Sequence, residues 1–229
     1  MAYIGNSPAL NESVTSAQIA ADAITGAKIA DDAIESEHYA NTSIDAAHLA
    51  SGVGGTGWLK ISKATVSVAV SELDITSGID STYDTYMITY ENVHSVDDGV
   101  YFRVRLYISS TLEDDDADYT FHQQKQTEGG SSYSAIVATD AAQINISNAI
   151  GNAAGEATNG YVTLHSPAAT DQRAAIGARD VGLGGSGNTH HGLTSGHFIN
   201  SSGACTGIRF LFSGGNIASG VFTLYGLVN

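Results

Sequence analysis

Residues 14–53 contain four copies of a ten-residue repeat, and this repeat limits what the chain can fold into more than any other feature. The copies VTSAQIAADA, ITGAKIADDA, IESEHYANTS and IDAAHLASGV begin at Val14, Ile24, Ile34 and Ile44, and a large apolar residue recurs at every fifth position. On a continuous α-helix this spacing rotates each apolar group by about 140° from the last, so no single stripe forms. On a continuous strand it places successive apolar groups on opposite faces. Neither regular element accounts for the pattern.

Each unit of the repeat combines signals for one helical turn with signals for a bend. Most copies place an N-cap or first-turn residue at the second position, and alanine-rich residues follow it. Turn-forming residues then close the unit, as at Asp31–Asp32 and at residues 41–43. We predict that helical and extended geometry alternate, which would return the apolar positions to one line.

A single chain buries too little to hold this repeat in place. Each unit offers two large apolar side chains, which return about 3–6 kcal/mol when buried, whereas ordering the backbone costs about 1–2 kcal/mol per residue. We therefore expect residues 13–50 to form a shaft in which two or three chains share an apolar axis. The alternative is a disordered linker rich in alanine and aspartate. The axis candidates are Val14, Ile19, Ile24, Ile29, Ile34, Tyr39, Ile44 and Leu49.

Residues 1–12 and 51–57 flank the repeat and differ from it in composition. The first segment predicts a separate leader, because its large apolar residues have no repeat to pack into and therefore suit a docking peptide. These anchor candidates are Tyr3, Ile4 and Leu10. The second segment, SGVGGTG, predicts a flexible joint before a head domain at residues 58–229.

From Trp58 onward, apolar and polar residues alternate with a period of two, which is typical of half-buried strands. The clearest case is residues 100–108, where every second residue from Val100 to Ile108 is apolar. Further strand candidates are residues 66–70, 86–90, 119–124, 134–139, 143–147, 160–165, 207–212 and 221–228. About ten short strands without a helical period predict a mainly-β head, an antiparallel β-sandwich of jelly-roll type.

Charge and cysteine content narrow the range of partners. The chain of 229 residues carries a formal net charge of −15, so nucleic acid and anionic membrane surfaces are unfavourable partners. The single cysteine, Cys205, excludes an intrachain disulfide and a cysteine-based zinc cluster. The sequence shows neither an apolar run that could span a bilayer nor a signal peptide. We expect synthesis in the cytoplasm and no membrane insertion.

The stretch LEDDDADY at residues 112–119 contains the densest group of acids in the chain. Asp114, Asp116 and Asp118 alternate as Ca²⁺ ligands can, but the central glycine and distal glutamate of an EF-hand loop are missing. Because the stretch lies between two strand candidates, we predict a solvated hairpin tip. We predict no metal site here, and the three aspartates are weak candidates for one.

Glycines and histidines are concentrated in residues 182–196, which predicts the longest loop of the head. The receptor-contact candidates, all able to form hydrogen bonds with hydroxyl-rich ligands, are Asn188, Thr189, His190 and His191. Alternatively, one histidine from each chain of a trimer could bind a metal ion at the axis. The sequence contains no phosphate-binding glycine pattern, no nucleophile elbow and no distinctive carboxylate pair. We therefore predict no enzymatic activity and no cofactor.

The order of these segments, and several of their motifs, resemble the tail-fibre and related virion fibre proteins of tailed bacteriophages. MAYIGNSPA (residues 1–9) is similar to the leader of many such fibres, and ITGAKIADDAI (24–34) is similar to their shaft repeats. GIDSTYDTYMITYENV (78–93) and GGNIASGVFTLYGLVN (214–229) resemble the start and the final strand of the head of marine-type phage fibres. The resemblance implies a homotrimer located on the virion, with its leader docked to another virion protein and its head held outward.

Three functions follow from this reasoning. The first, which we favour, is a tail fibre that attaches the phage to a glycan or protein of the host surface. The second is a capsid-surface decoration fibre, or cement protein, without a receptor. The third is a glycan-cleaving tailspike, which usually needs a long β-helix and a carboxylate-lined groove, and this chain has neither the room nor the repeat for them.

Overall fold

A computed structural model describes residues 57–130, 133–185 and 187–228, together with Ile19, Ala20, Thr25 and Ile29 of the repeat. The chain divides into two compact units, Met1–Gly54 and Gly55–Asn229. In the first unit, two axis candidates are described, and Ile19 and Ile29 are 44% and 39% exposed in the single chain. The remaining anchor and axis candidates lie outside the described residues: Tyr3, Ile4, Leu10, Val14, Ile24, Ile34, Tyr39, Ile44 and Leu49.

The second unit is built from strands, and no helix occurs among its described residues. The mainly-β prediction is therefore confirmed. The strands are β1 (Gly57–Val66), β2 (Glu72–Ile75), β3 (Thr85–Ser95), β4 (Val100–Ile108), β5 (Thr111–Leu112), β6 (Tyr119–Thr127), β7 (Ser134–Ala141), β8 (Ile144–Ile150), β9 (Thr158–His165), β10 (Ala175–Leu183), β11 (Thr189–Phe198), β12 (Cys205–Phe212) and β13 (Ile217–Val228).

These strands form two antiparallel sheets. The long sheet has eight strands in the order β1-β13-β3-β9-β10-β11-β6-β7. The short sheet has five, in the order β2-β12-β4-β5, with β8 also paired to β4. At the edge of the long sheet, β1 and β13 place Gly57 opposite Val228.

An aromatic cluster joins the two sheets. Tyr90 on β3 and Phe222 on β13 belong to the long sheet, whereas Phe102 on β4 and Phe210 on β12 belong to the short one, and all four are fully buried. The ring centroids are 5.3 Å apart for Tyr90 and Phe102 and 5.1 Å apart for Phe210 and Phe222. Aromatic pairs at such distances contribute about 0.5–1.5 kcal/mol beyond their buried area. The sheets therefore pack face to face in a sandwich-like arrangement.

Strand β4 follows the predicted alternation at every position. Val100, Phe102, Val104, Leu106 and Ile108 are buried, and the residues between them are partly exposed. On this partly exposed face, the Arg105 side chain donates hydrogen bonds to the Ala142 carbonyl and to the Gln143 amide. Alternation of apolar and polar residues with a period of two therefore predicts a strand correctly where one face of the strand packs against the core.

Two strand predictions near the start of the head need correction. Of residues 66–70, only Val66 belongs to a strand, the last residue of β1, and Val70 forms an isolated bridge with Ile217. The sequence does not predict β1 itself, because its register shifts between Lys60 and Ser62 and the alternation is broken there. Gly57, assigned to the joint, begins this strand.

Residues 182–196 do not form the predicted loop. They belong largely to β10 and β11, which pair from Ala175 opposite His197 to Leu183 opposite Thr189. At Gly192 and Gly196, neighbouring side chains occupy the space that a side chain at these positions would need. A Cβ added at Gly196 would lie 2.9 Å from the Cδ1 atom of Ile144. The glycines therefore admit close packing across a strand instead of interrupting it.

The acidic residues 113–118 do not form a hairpin tip either. Strand β4 lies in the short sheet and β6 in the long one, so this segment crosses from one sheet to the other. Tyr119 stabilises the crossing, since its hydroxyl donates to the Glu113 carbonyl at 2.8 Å and accepts from the Leu106 amide at 2.8 Å.

Candidate functional site

An open cavity of about 500 Å³ lies on the face of the long sheet that points away from the core. One row of paired residues crosses it: Tyr161 on β9 is opposite Arg179 on β10, which is opposite Leu193 on β11. Both large side chains at the ends of this row are exposed, Tyr161 by 38% and Leu193 by 54%. The full lining is His122, Gln124, Tyr161, Thr163, His165, Gly177, Ala178, Arg179, Leu193, Thr194 and Ser195.

Gly177 explains why the sheet surface is depressed at this point. It is paired with Thr163 on one side and with Ser195 on the other. Because glycine has no side chain, the row of side chains is interrupted there. Thr163 is held at the edge of the gap by the hydrogen bond that its hydroxyl donates to the Gly177 carbonyl at 3.2 Å.

The cavity is electrostatically unlike the rest of this acidic protein. Its described lining contains an arginine and two histidines but no aspartate or glutamate, although the chain has a net charge of −15. Arg179 is exposed, and within the described part of the chain its side chain makes no hydrogen bond or ion pair. By contrast, Arg209 forms two hydrogen bonds with Asp74, at 2.7 and 2.6 Å. Arg179 is thus available to an anionic group from outside.

The four predicted receptor-contact residues do not all lie at the surface. His191 lies on the outer face of β11, two residues before Leu193, and its ring is 6.2 Å from that of Tyr133. Asn188 and Thr189 are exposed just before it, and Glu128 accepts hydrogen bonds from the amide and hydroxyl of Thr189. These three lie at the surface, while the fourth candidate does not.

His190 points to the inside of the domain and contacts Asp180. Its Nε2 atom is 3.2 Å from the Asp180 Oδ2 atom, and both side chains are buried. The strand neighbours of Asp180 are Gly160 and Gly192, and the Asp180 carboxylate occupies the space where Gly192 has no side chain. The contact between Asp180 and His190 does not have hydrogen-bond geometry, so within the described part of the chain both Asp180 carboxylate oxygens and both His190 ring nitrogens lack a hydrogen-bond partner. The same holds for Gln123 Oε1, Thr158 Oγ1 and Thr194 Oγ1. His190 is therefore part of a buried polar group and is not exposed to a receptor.

The three aspartates proposed as weak metal candidates have separate surroundings. Asp118 is buried, and its carboxylate accepts hydrogen bonds from the Asp115 amide and the Asn200 side chain. Burial raises the pKa of this carboxyl. Asp114 lies 3.7 Å from Arg105, and Asp116 is exposed. Across the described residues, no three histidines, cysteines or acids are grouped as metal ligands would be.

The sequence gives no direct signal for this cavity, because its lining comes from four strands, β6, β9, β10 and β11. The residues missed are His122, Gln124, Tyr161, Thr163, His165, Arg179, Leu193 and Ser195. One signal could have found part of it: β10 and β11 alternate between buried and exposed residues, and the exposed positions include Val181 and Leu193. Apolar residues grouped on the exposed face of adjacent strands indicate a contact surface, whereas single ones do not.

The chain matches no known family, no curated protein and no solved structure. The described residues include no helix with the length and apolar character needed to cross a bilayer.

Proposed function

We propose that the protein is a homotrimeric virion fibre of a tailed bacteriophage, carried on the tail, whose β-domain attaches to the host cell surface. The observation that carries this proposal is the four-copy repeat, which one chain cannot stabilise alone. The exposure of Ile19 and Ile29 in the single chain is consistent with their packing against other copies. Residues 1–12 dock to another virion protein, and the β-domain is a jelly-roll-like sandwich.

The cavity supports attachment rather than glycan cleavage. Glycoside hydrolysis uses two carboxylates that flank the scissile bond, and the described lining of the cavity has none. Its lining instead offers hydroxyl, amide and imidazole groups beside exposed apolar side chains, which suits reversible recognition. We therefore propose a binding protein without enzymatic activity.

The assembly is tested by sedimentation of the full chain and of a variant that lacks residues 13–50. We expect a trimer for the full chain and a loss or weakening of it for the deletion, because the shared apolar axis is removed. Deletion of residues 1–12 should leave the trimer intact and prevent incorporation into particles. A full chain that is monomeric at micromolar concentration would refute the shaft.

Attachment is tested with particles that lack the protein. We expect them to adsorb poorly to host cells. Normal adsorption combined with reduced capsid stability would instead indicate a decoration fibre. Replacement of residues 186–191 by a Gly/Ser linker adds a local test, and we expect it to reduce binding to host cells, since His191, Asn188 and Thr189 lie at the surface while His190 does not. The replacement must be checked for folding, because His190 belongs to the buried polar group.

A further inference from the structure

We propose that the cavity on the long sheet binds a carboxylated saccharide and that Arg179 holds the carboxylate. This inference rests on the proposed attachment function for the source of the sugar, a host-surface glycan. The binding itself is a property of the purified chain and can be measured without particles or cells.

The first argument is the unpaired cation. Arg179 lies in the centre of the lining, with Tyr161 and Leu193 as its cross-strand neighbours. No carboxylate of the described lining competes for its guanidinium. A planar guanidinium can bind a carboxylate through two parallel hydrogen bonds, and such charge-assisted bonds are stronger than neutral ones. In a chain with a net charge of −15, this site favours an anion where most of the surface repels one.

The second argument is the apolar surface on either side of the arginine. The Tyr161 ring and the Leu193 side chain are both exposed on the outer face. A sugar ring has an apolar side formed by its C–H groups, which can pack on an aromatic ring while its hydroxyls remain hydrogen-bonded. The gap above Gly177 lies beside this row and gives the sugar ring room to approach the sheet.

The third argument is the set of polar groups around the gap. Gln124, Ser195 and His122 supply both donors and acceptors, from adjacent positions of β6 and β11. Sugar hydroxyls also act as both donor and acceptor, so a mixed set of this kind fits them better than it fits a simple anion. The combination of one cation, an apolar platform and mixed polar groups indicates a carboxylated saccharide.

The test measures binding of methyl glycosides to the full-length chain by isothermal titration calorimetry and by ligand-observed NMR. The acidic probes are the methyl glycosides of glucuronate, galacturonate, mannuronate and N-acetylneuraminate. Methyl glucoside, galactoside and mannoside serve as neutral counterparts. We expect at least one acidic probe to bind more tightly than the neutral probes, with an affinity that falls as salt is added. The absence of binding by all four acidic probes would overturn the proposal, as would equal binding of acidic and neutral probes.

Two variants locate the site. Arg179→Gln should weaken the acidic probe about 10- to 100-fold, the effect of losing hydrogen bonds to a charged group, and leave any neutral binding unchanged. Gly177→Ala should weaken both classes of probe because its methyl group enters the cavity floor. The matched control is Lys63→Gln, which removes the same charge from the same row of the same sheet face, four strands away. Equal effects of Arg179→Gln and Lys63→Gln would show a general charge effect and refute the site.

The same variants separate this inference from its alternatives. If Arg179→Gln or Gly177→Ala changes the sedimentation of the full chain, the face is an interface between copies and the proposal is wrong. Attachment and sugar binding can also fail separately. If particles that carry Arg179→Gln adsorb normally although the purified variant no longer binds the sugar, the sugar site is real but plays no part in attachment. If particles that lack the protein adsorb poorly but the purified chain binds no acidic sugar, the attachment function is supported and the sugar site is refuted.

Discussion

The Oδ2 atom of Asp180 and the Nε2 atom of His190 lie 3.2 Å apart in the interior of the β-domain, and neither side chain is more than 1% exposed. The two residues come from adjacent strands, β10 and β11. Polar groups buried in this way stabilise a fold only while they are paired with each other.

Removal of either partner should therefore be costly. We expect Asp180→Ala and His190→Ala each to lower the free energy of unfolding by about 1–3 kcal/mol, because the remaining polar group stays buried without its neighbour. Urea unfolding at a fixed protein concentration measures this loss. The double variant should lose less than the sum of the single losses. Strictly additive losses would show that the two side chains do not interact.

Gly192 lies directly against the Asp180 carboxylate. A Cβ at Gly192 would collide with the Asp180 carboxylate, so we expect Gly192→Ala to cost about 1–3 kcal/mol through overpacking. Gly177→Ala is the matched control on the neighbouring strand, since its Cβ would face the cavity, 3.0 Å from the Thr163 hydroxyl. Thermal unfolding compares the two. A similar melting temperature for both variants would contradict the close packing around Asp180.

Acid should weaken the contact between Asp74 and Arg209. Hydrogen bonds from Arg209, and then from Tyr107, lower the pKa of the Asp74 carboxyl from 3.8, against the opposing effect of burial. A carboxyl with a lowered pKa in the folded state stabilises the protein above the unfolded-state value and loses this effect as the pH falls through the folded-state value. Asp74→Asn should thus cost about 1 kcal/mol at pH 7 and progressively less below pH 3.8.

Denaturant midpoints across this pH range provide the measurement for Asp74. Asp140→Asn is the control, because Asp140 is exposed on β7 and its one described side-chain hydrogen bond comes from the neighbouring Thr139. A loss for Asp74→Asn that stayed constant with pH would mean that ionisation of the carboxyl plays no part.

Cys205 should be unreactive in the folded protein. Burial raises the pKa of its thiol to about 11, and the residue is only 1% exposed. Since the thiolate is the reactive form, we expect a disulfide reagent at pH 8 to label the native protein only as fast as the domain opens, and to label it fully in guanidinium chloride. Rapid stoichiometric labelling without denaturant would show that β12 is accessible.

The sequence predicts strands well where one face meets the core and poorly where it does not. In β4, the apolar residues from Val100 to Ile108 are all buried in the core, so the alternation is complete. In β10 and β11, the inner positions include Asp180, His190 and several glycines, and apolar residues such as Leu193 lie outside. Polar residues and glycines at the inner positions are typical of a loop in a sequence. Only the pairing of β10 and β11 with neighbouring strands shows that these residues belong to a sheet.

The candidate site shows the same limit. His191, which the local sequence singles out, does not line the cavity. Tyr161, Arg179 and His122 are distant in the chain and line one cavity only because β9, β10, β11 and β6 are neighbours in the long sheet. Gly177 has no local signal for its role as the cavity floor. Strand order depends on long-range pairing, which a single sequence does not report.

The pairing of Gly57 with Val228 has a consequence for how the β-domain can be handled. Opposite residues of an antiparallel pair have Cα atoms about 4.5–5.5 Å apart. The first and last strands of the β-domain therefore begin and end next to each other. A module with adjacent ends can be inserted into a surface loop of an unrelated carrier, with short tethers at both ends and its fold unchanged. The same geometry allows its ends to be joined and new ones opened at an exposed turn such as the one that contains Gly129. The β-domain can therefore be inserted as a unit into other proteins, and its cavity can be displayed on a scaffold of any chosen symmetry.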